Sequence, residues 1–177
     1  MDAVTYLEPD TTVTFELEGT LPIFSERYVS PQAGTVILKG FFNPRAHIET
    51  LDGARYRMLS PRRDKQYLNQ IAYPIVHLPD KTEVFRCRTP VYSLSEKKTP
   101  PTLRYTVTLN NESYIFKRAA RLGRAFELWD NMEMQCLVKR EPRQKLIADS
   151  IVLSPAPVLL VLLLPWMDNQ TLLSSHT

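Results

Sequence analysis

Two clusters of basic side chains are the residues of this chain best suited to chemistry. The first cluster lies in KRAARLGR and contains Lys117, Arg118, Arg121 and Arg124. The second cluster lies in SPRRDK and contains Arg62, Arg63 and Lys65. Lysine is a compact point charge, and arginine offers a planar fork of donors to phosphate oxygens. The two clusters therefore predict binding of phosphate groups, carried either by lipid headgroups or by a nucleic-acid backbone.

The chain has few residues in arrangements that catalysis requires. Its three histidines, His47, His77 and His176, form neither of the HxxxH and HExxH spacings that bind metals. The sequence also lacks the GxSxG, GxxxxGK[ST] and GxGxxG motifs of hydrolases, nucleotide-binding and dinucleotide-binding proteins. The sequence therefore predicts no catalytic residue, no metal site and no cofactor.

The charges are unevenly distributed along the 177 residues. Residues 1–26 contain six acids and no base, whereas residues 27–148 contain all 22 bases and 11 acids. The excess of bases predicts an anionic partner, either nucleic acid or lipid headgroups, and charge alone does not choose between the two. The first residues, MDAVTYLEPD, lack the basic start and apolar core of a secretory signal. We therefore expect a cytoplasmic protein, and the lipid prediction would bring it to the periphery of a membrane.

Apolar residues alternate with polar ones over most of the chain, which predicts short strands. Val13, Phe15 and Leu17 alternate in TVTFEL, and similar patterns recur through residue 152. Asp52-Gly53 and Asn110-Asn111 are two-residue turns of the kind that joins neighbouring strands into hairpins. Ten to twelve short strands at hairpin spacing predict an antiparallel sandwich or barrel.

The segment 151–167, IVLSPAPVLLVLLLPWM, contains no charged residue. Because prolines at 155, 157 and 165 interrupt it, we predict a helix over residues 156–164, capped by Ser154. Such a helix is too short to cross a bilayer, which takes about 20 apolar residues. A short helix that is apolar on all sides is expected to be buried inside a barrel of strands. The alternative is a membrane anchor.

This order of strands, hairpins and a final apolar helix resembles the tubby C-terminal-like fold, within it the LURP-one-related and phospholipid scramblase-like branch. The matching segments are LKGFFNPRAHIETLDG at 38–53, GRAFELWDN at 123–131 and the apolar run at 158–164. The resemblance covers residues 35–170 and implies a barrel around a central helix. It also implies a binding or structural module, lipid-associated in some members, with no settled reaction. Residues 1–34 have no counterpart, and no phosphoinositide-binding position of tubby domains is carried over.

The sequence as a whole predicts an all-β protein with one buried helix, an antiparallel barrel of about twelve short strands. Residues 1–34 are expected to be an acidic arm or the first strands, 35–170 the barrel domain and 171–177 a polar tail. The predicted function is non-enzymatic binding or scaffolding, directed at anionic phospholipid through basic loops or at a protein partner. The less favoured alternative is a nucleic-acid-binding barrel that uses the same arginines and stacks bases on Tyr114 and Phe116. Another is a lipocalin-like carrier, which requires residues 155–167 to lie outside the barrel.

Overall fold

The computed structural model describes residues 4–21, 25–40, 44–64, 70–90, 104–119, 125–143 and 148–174. The strands up to residue 63 are β1 (Tyr6–Leu7), β2 (Thr12–Val13), β3 (Glu16–Leu21), β4 (Ser25–Ser30), β5 (Gly34–Lys39), β6 (Arg45–Thr50), β7 (Arg55–Met58) and β8 (Arg62–Arg63). The later strands are β9 (Gln70–His77), β10 (Glu83–Pro90), β11 (Arg104–Leu109), β12 (Glu112–Arg118), β13 (Phe126–Asp130), β14 (Gln135–Pro142), β15 (Ala148–Val152) and β16 (Ala156–Pro157). Two helices follow, α1 (Val158–Leu162) and α2 (Leu164–Ser174).

Fourteen of these strands form one antiparallel sheet, in which most strands pair with their neighbours in sequence. The order is β2-β15-β14-β13-β12-β11-β10-β9-β7-β6-β5-β4-β3, and β8 pairs with β9 beside β7. Tight turns make this possible: Gly53 has a φ of 85°, and Asn110 and Asn111 have φ values of 51° and 65°. Glycine and asparagine adopt such positive φ angles more readily than other residues. β1 and β16 form a separate two-stranded ladder.

The two helices supply the centre of the core. Every residue from 156 to 167 is buried. α1 packs against β5 and β6, and α2 packs against β13, so the sheet curls around the helices. The Trp166 indole Nε1 donates a hydrogen bond of 2.7 Å to the Pro44 carbonyl. Its ring meets those of Tyr73 and Tyr105 edge-on, with centroids 5.0 Å and 5.5 Å away.

The antiparallel architecture with a buried C-terminal helix is confirmed, but the predicted closed barrel is wrong. Among the described residues, the edge strands β2 and β3 are not hydrogen-bonded to each other, so the sheet stays open. Between these two strands, the Thr14 N–H donates instead to the Gln32 side-chain oxygen at 3.2 Å. The predicted number of about twelve strands was also too low for the fourteen-stranded sheet.

The predicted start of the helix and its Ser154 cap are also wrong. Residues 156–157 form β16 against β1, and α1 begins after Pro157 with no side-chain cap. The Val158 N–H donates to the Thr5 carbonyl at 2.9 Å, so pairing with the first strand replaces the expected cap. None of the described helices has the length and apolar character needed to cross a membrane. The segment lies inside the sheet, whereas the lipocalin-like alternative requires it outside.

Candidate anion-binding site

Four of the seven predicted basic residues lie in the described part of the chain. Arg62 and Arg63 form β8 and are exposed, whereas Lys117 and Arg118 end β12 and are half-buried. The other three, Lys65, Arg121 and Arg124, lie outside the described residues. The structure therefore locates part of each predicted cluster.

The strand register brings these two pairs to the same end of the sheet. Pro90, at the end of β10, lies opposite Gln70 of β9, and β8 pairs with the next residues of β9. β11 pairs with β10 on the side away from β9. Its first residue, Arg104, lies at this same end of the sheet and opposite Lys117 of β12. Strands are spaced by about 4.8 Å, so β8 and β12 are roughly 19 Å apart along the sheet. Both pairs lie at one end of the sheet, but they cannot hold one small phosphate group together.

We call this end of the sheet the basic end. Its described bases are Lys39, Arg45, Arg62, Arg63, Arg88, Arg104, Lys117, Arg118, Arg140 and Arg143, and the acids described there are Glu26, Asp64, Glu127, Glu141 and Asp149. Lys39 and Arg45 are placed there by the β5–β6 ladder, in which they lie opposite each other. Lys117 is partly engaged, because its ammonium lies 4.4 Å from the centre of the Trp129 ring. The Nε of Arg118 is buried and has no hydrogen-bond partner among the described residues.

The opposite end, which we call the turn end, carries acids in its hairpin turns. Asp52, Asp80 and Asp130 each accept a hydrogen bond from the backbone N–H two residues later, at 3.4 Å, 3.0 Å and 2.9 Å. The Thr50 hydroxyl, followed by the Ala54 N–H, lowers the pKa of Asp52, and the Thr82 N–H lowers the pKa of Asp80. The carboxylates of Asp52 and Asp80 are therefore charged at neutral pH. The sheet is basic at one end and has acidic turns at the other.

Close to the basic end, a groove of about 410 Å³ opens on the face of the sheet that points away from the helices. Its described lining consists of Arg45, His47, Arg57, Met58, Leu59, Ser60, Arg62 and Pro74. Four of these eight side chains are basic, and none is acidic. The groove thus combines positive charge with apolar walls, which is the composition expected of a site for an anionic group.

The β6–β7 hairpin positions the basic side chains of this groove. Alternate residues of the two strands, such as Ile48 and Met58, are buried in the core. The residues between them face outward because side chains alternate across a strand. His47 lies directly opposite Arg57 in the ladder. Arg45 precedes His47 by two residues on β6 and therefore lies on the same face.

The positive charge of the groove is only partly neutralised. Arg62 lies 3.2 Å from Glu83, but neither Arg45 nor Arg57 has an ion-pair partner among the described side chains. Burial lowers the pKa of His47, and the neighbouring charges of Lys39, Arg57 and Arg45 lower it further. The His47 imidazole is therefore neutral at neutral pH.

The lowered pKa of His47 predicts a stability that depends on pH. The unfolded chain, with a histidine pKa of about 6.5, binds more protons than the folded chain as the pH falls below that value. The free energy of unfolding should therefore decrease between pH ~6.5 and the lowered pKa, with a slope below about 1.4 kcal/mol per pH unit. We expect His47→Gln to remove this contribution, as measured by urea unfolding over a pH series. Parallel pH curves for both proteins would contradict the prediction.

Sequence reasoning missed most of this groove, although the pattern that builds it is readable. The bases alternate in RAHIE before the Asp52-Gly53 turn and in RYR after it, so a hairpin places them on one face. The nucleic-acid alternative needs Tyr114 and Phe116 on the surface for base stacking. The two side chains are 3% and 0% exposed and face the core.

Comparison of the chain with protein-family models, with curated proteins and with solved structures finds no match.

Proposed function

We propose that this protein is a non-enzymatic binding module that attaches to anionic phospholipid surfaces through its basic end. The observation that carries the proposal is the gathering of ten described bases, against five described acids, at one end of the strands, with acidic turns at the other end. Each Lys or Arg near an anionic membrane contributes about 1 kcal/mol of binding free energy. A charge distribution of this kind would attract one end of the molecule to the membrane and repel the other.

The proposal also includes membership of the tubby C-terminal-like fold, in its LURP-one-related and phospholipid scramblase-like branch. The buried C-terminal helix and the hairpin order support this relationship. Nucleic acid is a weaker candidate for the partner, since the aromatic residues needed for stacking bases are buried. An extended lipid surface requires only exposed charge, which the basic end offers.

A sedimentation experiment with phospholipid vesicles tests the proposal. We expect the protein to bind vesicles that contain phosphatidylserine at low salt and to dissociate from them at high salt. It should not bind vesicles of phosphatidylcholine alone. Replacing Arg63 and Arg104 by Ser removes two exposed bases from the basic end. At about 1 kcal/mol per base, the double variant should bind roughly 30-fold more weakly.

The matched control is the Arg55→Ser/Lys81→Ser variant, which removes two exposed bases from the turn end. It should bind anionic vesicles like the unmodified protein. Equal weakening by both double variants would contradict attachment through the basic end. Failure to bind anionic vesicles at low salt, or salt-resistant binding to neutral vesicles, would overturn the proposed function.

A further inference from the structure

The groove between β6, β7 and β8 contains more hydrogen-bond donors than attraction to a charged surface requires. Arg45, Arg57 and Arg62 line it with three guanidinium groups, and Ser60 adds a hydroxyl. Of the three, only Arg62 has a carboxylate partner among the described side chains. Each guanidinium can offer two parallel N–H donors to the oxygens of one anion. The site can therefore donate several hydrogen bonds to a tetrahedral group.

His47 occupies a special position in this arrangement. It lines the groove and also a neighbouring cavity of about 230 Å³ between β4 and β7. The cations that act on it come from all three strands around it, Lys39 on β5, Arg45 on β6 and Arg57 on β7. The other charged groups lining the neighbouring cavity are one acid and two bases, Glu49, Arg27 and Arg55. His47 is thus a neutral, titratable donor among positive charges.

We propose that the groove binds a phosphate dianion, such as the phosphomonoester of a lipid headgroup, and that His47 takes up one proton from solvent when the dianion binds. This inference rests on the proposed function, because it names the chemical class of headgroup that the basic end of the sheet selects. A phosphodiester, which links most phospholipid headgroups, carries a single negative charge. Three guanidinium groups and a protonatable imidazole are better matched to two charges.

The proton uptake follows from the charges around the imidazole. In the empty groove, burial and the three neighbouring cations keep His47 neutral. A bound dianion offsets two of those positive charges and accepts a hydrogen bond from the imidazole, both of which favour the protonated ring. Because binding then consumes a proton, affinity should increase as the pH falls, by up to about tenfold per pH unit.

Titration with sulfate tests the groove separately from any membrane, since sulfate stays a dianion while phosphate itself titrates. By isothermal calorimetry we expect sulfate to bind more tightly as the pH decreases below ~6.5. His47→Gln should bind sulfate with an affinity that does not change with pH, and Arg57→Gln should bind it weakly at every pH. The matched control is His77→Gln, because His77 lies near the turn end and outside the groove. No sulfate binding, or the same pH dependence in His47→Gln, would overturn the inference.

Vesicles and a soluble phosphomonoester distinguish the possible sources of the phosphate. We expect vesicles with phosphatidic acid, a phosphomonoester, to bind more tightly than vesicles with the same charge supplied by phosphatidylserine. Arg57→Gln should lose this preference and still bind phosphatidylserine. Equal binding to both vesicles without sulfate binding would overturn the groove but leave the proposed function. Binding of sulfate and glycerol 3-phosphate without any vesicle binding would overturn the membrane function but leave the groove.

Discussion

Removal of residues 154–177 is expected to abolish cooperative unfolding of this protein. The deleted segment contains nine large apolar side chains that are buried inside the sheet, from Val158 to Met167. Full burial of such a side chain contributes about 1.5–3 kcal/mol. Together the nine match or exceed the entire stability of a typical domain, about 5–15 kcal/mol. Without them the inner face of the sheet would be exposed to water, and a urea titration should give a broad, non-cooperative change in circular dichroism.

Single substitutions provide the controls for this truncation. Leu160 is fully buried, so Leu160→Ala should lower the free energy of unfolding by about 2–5 kcal/mol while the transition stays cooperative. Leu153 is 47% exposed, and Leu153→Ala should change stability by less than about 0.5 kcal/mol. A truncated chain that stays soluble and unfolds sharply would mean that the sheet forms a core without its helices.

Asp168→Asn is expected to destabilise the protein by about 3–5 kcal/mol, because it leaves a buried guanidinium without its counter-charge. The Arg140 side chain is 2% exposed, and its Nη2 lies 2.7 Å from the Asp168 carboxylate. Arg140 also donates to the Phe126 and Ala148 carbonyls at 3.2 Å and 3.4 Å, and so connects α2 to β13 and β15. Burial raises the pKa of Asp168, while Arg140 and the Phe126 N–H oppose that change. Equilibrium urea unfolding measures the loss.

Two further variants separate the buried pair from a general effect of charge. Arg140→Met should cost less than Asp168→Asn, because the remaining Asp168 side chain is 23% exposed and partly hydrated. Glu141→Gln is the matched control, since its pair with Lys139 is about half exposed and contributes at most about 1 kcal/mol. Equal small losses for Asp168→Asn and Glu141→Gln would show that the buried pair does not hold α2 in place.

The elements that depend on local pattern were predictable from the sequence. Tyr105, Val107 and Leu109 alternate in the sequence, and they face the core from β11. The Asn110-Asn111 turn joins β11 to β12, as its residue types indicate. Burial of the C-terminal helix followed from its composition, because an apolar helix too short for a bilayer has to be covered by protein.

The sequence did not predict that the sheet stays open. Closure depends on hydrogen bonding between two edge strands, which the alternation within one strand does not reveal. TVTFEL alternates without interruption, yet the structure breaks it into β2 and β3. Phe15 lies between these strands and is buried in the core, and Thr14 hydrogen-bonds to Gln32. The sequence pattern alone does not distinguish this break from a continuous strand that closes the ladder.

The candidate site was only partly predictable, for a geometrical reason. Runs of adjacent bases, such as Arg62-Arg63, are easily noticed, but neighbouring residues in a strand point to opposite sides. Accordingly, Arg62 lines the groove and Arg63 is not among its lining residues. Bases at every second position, such as Arg55 and Arg57, share one face, and pairing of two such strands assembles a charged surface.

The position of the helices inside the sheet also affects the order in which the protein can fold. Most strands are joined by short hairpins, which form within about 1–10 μs. The core, however, needs contacts such as the hydrogen bond from Trp166 to Pro44, which joins residues 122 positions apart. On the ribosome, every strand of the large sheet emerges before residues 158–167. The nascent sheet must therefore keep an apolar surface open until its last segment arrives, and it is most prone to aggregation during that interval.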